Sequence, residues 1–419
     1  GDFVARRLYR QNNGVGPFVL IATINQTDTV FVDDGTTLFG DLDDTVVGKL
    51  RPRFDARLAI DSSVIVKLDG AHIQTELGAQ LIAEGSDGHE IVITSILDDR
   101  YGAGGVFDTS NDGSPVPGGV NVPTPGSWGG FYMGPESTLS MDNVVVAYGG
   151  GVTAVEGTFT AFNAVEIHQA QARIANSVFE LNAGGFGGQA PASRFGRGVN
   201  EEAAIFVSDA QPIIIDNVFR NNTDADETTR ISAISINANS LSHELQYDYG
   251  RSTGTVDSLG GYRDNHGPLV VGNRLTENEI NGMVIRGEVL TTQGIWDDTD
   301  IANVLFDKIV VPDFHTYGGL RLKSNPGQSL VIKLAGGNAG FDVTGRQLEI
   351  DDRIGGTIQI LGQPKSPVVI TSLNDDSVGA GIQPNGDPLV DTNNDGPLTT
   401  AQPGDWNTIL IDQFAHDRN

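Results

Sequence analysis

"ARIANSVFELNAGG", residues 172–185, runs a short apolar stretch up to Asn176, follows it with Val178 and Phe179, and closes on Asn182. The same order recurs in "LSMDNVVVAYGG" (139–150), "PIIIDNVFRNNT" (212–223) and "LVVGNRLTENEING" (269–282). Short apolar runs broken by Asn or Gly read as short strands with tight corners. Asn143, Asn176, Asn217 and Asn273 mark the equivalent corner, at spacings of 33, 41 and 56 residues. That irregularity excludes propeller blades and suits a solenoid with insertions on one face. In a parallel β-helix successive coils pair about 4.8 Å apart, so asparagines at one corner are expected to stack their amides into a ladder.

A longer repeat encloses this one. "GAQLIAEGSDGHEIVITSILDDRYGAG" (78–104) aligns with "GTIQILGQPKSPVVITSLNDDSVGAG" (356–381), with Gly85/Gly362, the ITS triplets and the GAG triplets each 277 residues apart. Upstream, "SVIVKL" (63–68) matches "SLVIKL" (329–334); downstream, "PTPGSW" ending at Trp128 matches "AQPGDW" ending at Trp406. The duplicated segments cover about 58–131 and 320–409. Two insertions interrupt the pattern: a glycine-rich stretch at 183–202, and 240–267, where His, Tyr, Asp and Arg gather. Long insertions on one face are where a solenoid keeps a binding surface.

Residues 1–48 read differently. "RRLYRQNNGVGPFVLIATINQTDTVFVDDG" is strand, turn, strand, turn, strand, and it resembles the last strands of a fibronectin type III module. A complete sandwich of that kind needs seven strands. The expected fold class is therefore all-β: a right-handed parallel β-helix over 49–419 preceded by a partial β-sandwich over 1–48. Both ends break off within a pattern, which is expected of a segment of a larger protein.

Composition narrows the function. The formal net charge is −28, with 39 aspartates against 15 glutamates. Aspartate prefers turns, so the acidity lies mostly in loops. Nucleic acid and anionic membrane surfaces are poor partners for such a chain, whereas cations are attracted. No stretch approaches the roughly 18 apolar residues of a membrane span. The chain has no cysteine, hence no disulfide. An extracellular protein built this way needs another cross-link, and a divalent metal is the obvious one.

"DTNNDG" (391–396) and "DTSNDG" (108–113) are where such a metal is expected. Asp391, Asn393 and Asp395, and in the other copy Asp108, Ser110 and Asp112, offer oxygens from alternate positions, and the glycine lets the chain fold back. Calcium wants six to eight oxygens. The EF-hand's twelfth-position Glu is replaced by Gln402 and Gly119, so this is no EF-hand. The missing ligands are expected from the aspartate pairs just upstream, Asp98 with Asp99 and Asp375 with Asp376. Asp297, Asp298 and Asp300, and "GDLDD" at 40–44, read as solvated acids.

Catalysis finds little support. Asp216 with Arg220, and His243, Asp248, Tyr249, Arg251, Arg263 and His266 share no short motif that sets mutual geometry. The histidines lack metal-ligand spacing, and no nucleophile elbow, phosphate loop or dinucleotide fingerprint occurs.

"GTIQILGQPKSPVVITSLNDD", "DTNNDG", "PGDW" and "WDDTDI" (296–301) resemble the right-handed parallel β-helix segments of very large secreted proteins of planctomycete bacteria, over most of residues 58–419. The resemblance implies an extracellular or cell-surface location and supplies no reaction. The expected function is a structural, calcium-stiffened segment of a large fibre or adhesin. It would meet copies of itself, or the rest of a larger chain, end to end. The alternative is a carbohydrate-active or carbohydrate-binding β-helix, acting on extracellular polysaccharide through the 183–202 and 240–267 insertions.

Overall fold

The computed structural model describes residues 5–10, 19–25, 31–32, 56–113, 121–155, 158–185, 200–224, 230–253, 262, 264–313, 319–346 and 355–415. The chain divides into two compact units, Gly1–Ala56 and Arg57–Asn419. In the first, Ala5–Arg10 and Val19–Asn25 pair antiparallel, with a register shift between Leu8 and Tyr9. Of the third expected strand only Phe31 and Val32 are described, and they are not in a strand; the "GDLDD" run lies outside the described residues, as do positions 186–199 of the first insertion.

The second unit is all-β and built on long parallel sheets. Arg57–Ile60, Ile65–Leu68 and Ile73–Thr75 each open a different sheet, and the chain then revisits the three in rotation. The first sheet holds six strands, ending at Leu269–Val271; the second also holds six, ending at Arg274–Thr276; the third holds nine, ending at Val368–Ser372. Neighbouring strands of these three sheets pair parallel, in near-unbroken register. Register stacks like on like inside: Ile93, Val146, Phe179, Phe219 and Leu275 form one column, with the Phe179 and Phe219 rings stacked at 5.1 Å.

The asparagine ladders exist: Asn217 and Asn273 stack as the alignment expects, whereas Asn143 and Asn176 lie one residue before the stacking position. Asn143 and Asn176 sit in the left-handed region, at φ 51° and 50°, and the next strands place Asp216 and Gly272 there. The ladder runs through the following position. Ser177 N donates to Asn217 Oδ1 at 2.9 Å, and Asn217 Nδ2 donates to Asn273 Oδ1 at 3.0 Å. A second, longer ladder joins Asn182, Asn222, Asn278 and Asn281 through amide bonds of 2.7–2.9 Å. Both ladders are buried. The correction has a simple cause: a corner needs a residue that tolerates positive φ just before the one that points inward, and Asn suits both.

The first sheet stops for a visible reason. Asp298 Oδ1 accepts from Val270 N at 3.2 Å, and Asp300 Oδ2 accepts from Gly272 N at 2.6 Å. Two side chains thus take amides that a seventh strand would have taken, which closes an edge otherwise open to pairing. Two further parallel sheets then begin, over Gly294–Trp296, Gly319–Lys323 and Thr357–Leu361, and over Lys308–Val311, Gly336–Val343 and Trp406–Ile411. Only the nine-stranded sheet runs through. Consequently the two halves of the duplication occupy different faces. Ile65–Leu68 and Ile91–Ser95 lie in the second sheet, whereas their counterparts Leu330–Leu334 and Val368–Ser372 lie in the nine-stranded one.

These aspartates are not solvated, contrary to expectation. Asp297 and Asp298 are buried. Burial, then the neighbouring Asp297, pushes the Asp298 carboxyl well above its ordinary range, and Asp298 Oδ2 has no partner among the described residues. Burial raises Asp300 to about 6. Such groups hold protons more tightly in the folded chain than in the unfolded one, so their contribution to stability is full below about pH 4 and is lost as pH rises through the folded value. The double variant Asp298→Asn/Asp300→Asn is expected to be more stable than the parent at pH 7, by on the order of 2 kcal/mol. Urea melts at pH 7 and pH 4 check this: the difference must shrink at pH 4.

Within the 240–267 insertion, described residues 248–253 bind side chains of the first sheet. Asp248 takes Arg173 in a two-pronged pair at 2.7 and 3.0 Å, Arg173 reaches Asp142 at 2.7 Å, and Arg251 grips the same Asp142 at 2.9 and 3.0 Å. Burial works against the Asp142 charge, yet Arg251, Asn176 and Arg173 hold its carboxyl below the ordinary range. Ser252 N and Thr253 N bind Glu84 beside it. The insertion's polar residues thereby anchor it to the sheet, rather than lining a cleft. No helix among the described residues is long and apolar enough to cross a membrane.

Candidate metal centres

Each acidic loop leaves a strand that ends in Ile-Thr-Ser. In the first copy, Thr94 Oγ1 donates to Asp98 Oδ2 at 2.6 Å; in the second, Thr371 Oγ1 donates to Asp375 Oδ2 at 2.5 Å. The first aspartate of each pair therefore closes the turn after the strand. Burial opposes the Asp98 charge, but Arg100 and Thr94 hold its carboxyl below the usual range; Ser377 and Thr371 do the same for Asp375. The pairs expected to act together are thus split. Asp98 and Asp375 serve the turn, and only Asp99 and Asp376 face the loop.

The loop itself is held by its leading aspartate. Asp108 accepts from Asp112 N at 3.2 Å and Gly113 N at 3.1 Å; Asp391 accepts from Asp395 N at 3.2 Å and Gly396 N at 2.9 Å. Burial opposes ionisation of Asp108, but the Gly113 and Asp112 amides keep its carboxyl low. The glycine of each GAG triplet admits a close approach: a Cβ on Gly102 would meet Val106 O at 2.1 Å, and one on Gly379 would meet Leu389 O at 1.9 Å.

This geometry gathers two sets of three carboxylates. Asp99, Asp108 and Asp112 each offer an oxygen within 4.8 Å of the others, and so do Asp376, Asp391 and Asp395. Oxygens on opposite sides of one calcium ion stand about 4.6–5.2 Å apart, so either set could hold a metal ion. Ser110 Oγ donates to Asp108 Oδ1 at 3.2 Å. Asn393 Nδ2 donates to Asp395 Oδ2 at 2.6 Å and to Asn374 Oδ1 at 3.2 Å. Several oxygens are buried with no partner among the described residues: Oδ1 of Asp99, of Asp376, of Asn393 and of Asp395. Burying an acceptor without a partner costs free energy, and here the cost falls on matching aspartates of both copies. Burial, then the charge of Asp108, raises Asp99; burial, then the charge of Asp391, raises Asp376.

A lysine in each copy completes the unit, a residue that is no metal ligand and so is not among the expected site residues. Lys67 Nζ donates to the Phe107 carbonyl at 2.8 Å, and Lys333 Nζ donates to the Val390 carbonyl at 2.9 Å. Each carbonyl immediately precedes the leading aspartate of the loop. Lys333 is fully buried; burial draws its ammonium below the ordinary value against the pull of Asp376 and its neighbours. The signal was present in the aligned "IVKL" and "VIKL". A lysine inside an otherwise apolar strand, in both copies, needs an acceptor above it.

The other charged groups near the first loop are paired. Arg100 binds Asp98 at 2.9 Å and Glu180 at 2.7 Å, and Arg220 reaches the same Glu180 at 2.5 Å. His266 Nδ1 lies 2.8 Å from Asp297 Oδ2. Arg263 lies outside the described residues. No protein-family model, curated protein or solved structure matches this chain.

Proposed function

We propose that residues 57–415 form a right-handed parallel β-helix, and that it serves as a calcium-stiffened structural segment of a large extracellular or cell-surface fibre or adhesin. The rotation of the chain through three parallel sheets supports the helix, and the near-universal hand of parallel crossovers supports its handedness. The observation that carries the function is the same oxygen-lined loop built twice, with the same turn, the same amides and the same lysine. The donors are all oxygens, without His or Cys, which suits a hard divalent cation. Asp99, Asp108 and Asp112 would hold one ion, and Asp376, Asp391 and Asp395 the other. Calcium would there tie a long loop to its strand, the part a disulfide plays elsewhere.

End-to-end contact is part of the same reading. The last described strands leave Ile360, Leu361, Leu410 and Ile411 exposed, and unpaired parallel edges invite another coil. A second copy, or a further part of the same protein, would cover them. Negative-stain microscopy of the chain in calcium should show end-to-end filaments, and Leu410→Lys should shorten them. Single particles in both proteins, or contacts along the flanks, would sink the end-to-end part.

A further inference from the structure

The outer face of the nine-stranded sheet carries a trough in its middle stretch. A cavity of about 680 Å³ lies over Phe206, Ser235 and Arg286. A second, of about 510 Å³, shares Arg230, Phe306 and Ala335 with it and runs on to Asn393 and Asn394. The two together are one elongated channel. Its floor comes from Ala203–Ser208, Ser232–Asn237 and Ile280–Arg286, adjacent strands whose alternate residues point out of the core.

Two arginines lie flat on two phenylalanines along this channel. The Arg286 guanidinium sits 4.1 Å over the Phe206 ring, and the Arg230 guanidinium 4.3 Å over the Phe306 ring. Arg286 also donates to Ser235 Oγ at 2.9 Å and to the Val207 carbonyl. Neither arginine has a carboxylate at ion-pair distance among the described residues. Burial lowers Arg286 to about 10, and the charges of Glu201, Glu288 and Asp209 only partly offset it. Contact with an aromatic face restrains each guanidinium, and N–H groups that the sheet does not use remain as donors to a ligand. Carboxylate acceptors line the first cavity as well, among them Glu201, Asp209 and Asp307.

We propose that this trough binds a linear, neutral, hydroxyl-rich glycan. Donors (Arg230, Arg286, Asn237) and carboxylate acceptors both line it, and a hydroxyl is the one common group that serves both. The channel has more carboxylates than arginines in a chain of net charge −28, which disfavours a polyanion. It is long and polar, as a polymer site is, and it lacks the deep apolar socket that anchors a peptide side chain. Phe206, Ser235 and Arg286 line the first cavity, which holds no acidic-loop residue, so the proposal does not rest on calcium; only the far end of the channel, at Asn393 and Asn394, meets the second loop.

Affinity electrophoresis tests it, in gels containing xylan, glucomannan, mixed-linkage β-glucan or dextran, with polygalacturonate as the acidic comparison. Retardation by at least one neutral glycan is expected. Arg286→Met keeps the stem on Phe206 and removes the donors, and it should weaken retardation roughly tenfold. Arg230→Met, at the rim, should weaken it too and keeps the test open if the first variant fails to fold. Asp87→Ala, an exposed change in a turn away from the trough and both insertions, should leave it unaltered. No retardation by any of the four neutral glycans would overturn the proposal, as would retardation by polygalacturonate alone or retardation that both arginine variants retain.

Discussion

Asn222→Asp should cost the fold about 4 kcal/mol or more, the largest loss expected from any near-isosteric single change in the chain. Asn222 is fully buried and sits inside the longer ladder. Its Oδ1 accepts from Asn182 N at 3.1 Å and Asn182 Nδ2 at 2.9 Å, while its Nδ2 donates to Phe179 O at 3.0 Å and Asn278 Oδ1 at 2.7 Å. Aspartate keeps the accepting side and turns the donating side into an acceptor. It would face two oxygens, unsolvated, with a charge that no cation is near enough to balance. Asn222→Ala loses the same bonds without the charge and should cost about 3 kcal/mol. Asn143→Gly is the contrast: its corner needs positive φ rather than an inward amide, so the change should stay within about 1 kcal/mol. Chemical denaturation of the three variants ranks them. An Asn222→Asp protein as stable as the parent would remove the ladder from the account of stability.

That contrast shows how far the fold was legible. The repeat of apolar run, asparagine and apolar pair is what three parallel sheets visited in rotation require, and it was visible without coordinates. Asn217 and Asn273 stack as expected, but Asn143 and Asn176 turn the corner instead, and the sequence does not separate the two because Asn meets both demands. The finer signal lay one residue back. Asn143, Asn176, Asp216 and Gly272 all tolerate the left-handed region, while Val144, Ser177, Asn217 and Asn273 follow them into the structure. The shift of the duplication from one face to another was not legible. A constant offset equates strands, but it carries no information on how many faces the intervening insertions skip.

The loops were legible as loops, and the place of their leading aspartates follows from the sequence because an aspartate bonding amides four and five residues on is a local matter. The split of each aspartate pair was not, since it depends on Thr94 and Thr371 reaching over a turn from the end of a strand. Burial was the other blind spot. "WDDTD" looks like solvated acid in sequence, yet Asp298 and Asp300 replace a missing strand. Nothing local marks a carboxylate that will serve as a backbone's partner.

Calcium is expected to raise the melting temperature, with EDTA reversing the gain and Mg²⁺ restoring less of it, because the smaller ion demands an octahedron that these loops are not shaped to give. A ligand at 100 times its dissociation constant adds about 2.7 kcal/mol per site, so two occupied loops would add about 5 kcal/mol. Asp112→Asn and Asp395→Asn should each remove about half of that increment, and the double variant all of it, since the loops stand on different faces and share no partner. The pH dependence has a definite sign. In the metal-free fold, Asp99 and Asp376 are raised by burial and by neighbouring carboxylates. They therefore favour folding below about pH 4 and lose that contribution as the pH climbs through their folded values. Calcium needs the same groups ionised. The difference between melts in calcium and in EDTA should accordingly widen from pH 4 to pH 7. Scanning calorimetry of the parent and the three variants across that range measures both effects. An increment that is absent at pH 7, or that survives unchanged in the double variant, would take the metal out of these loops and leave them as turns bonded by aspartate.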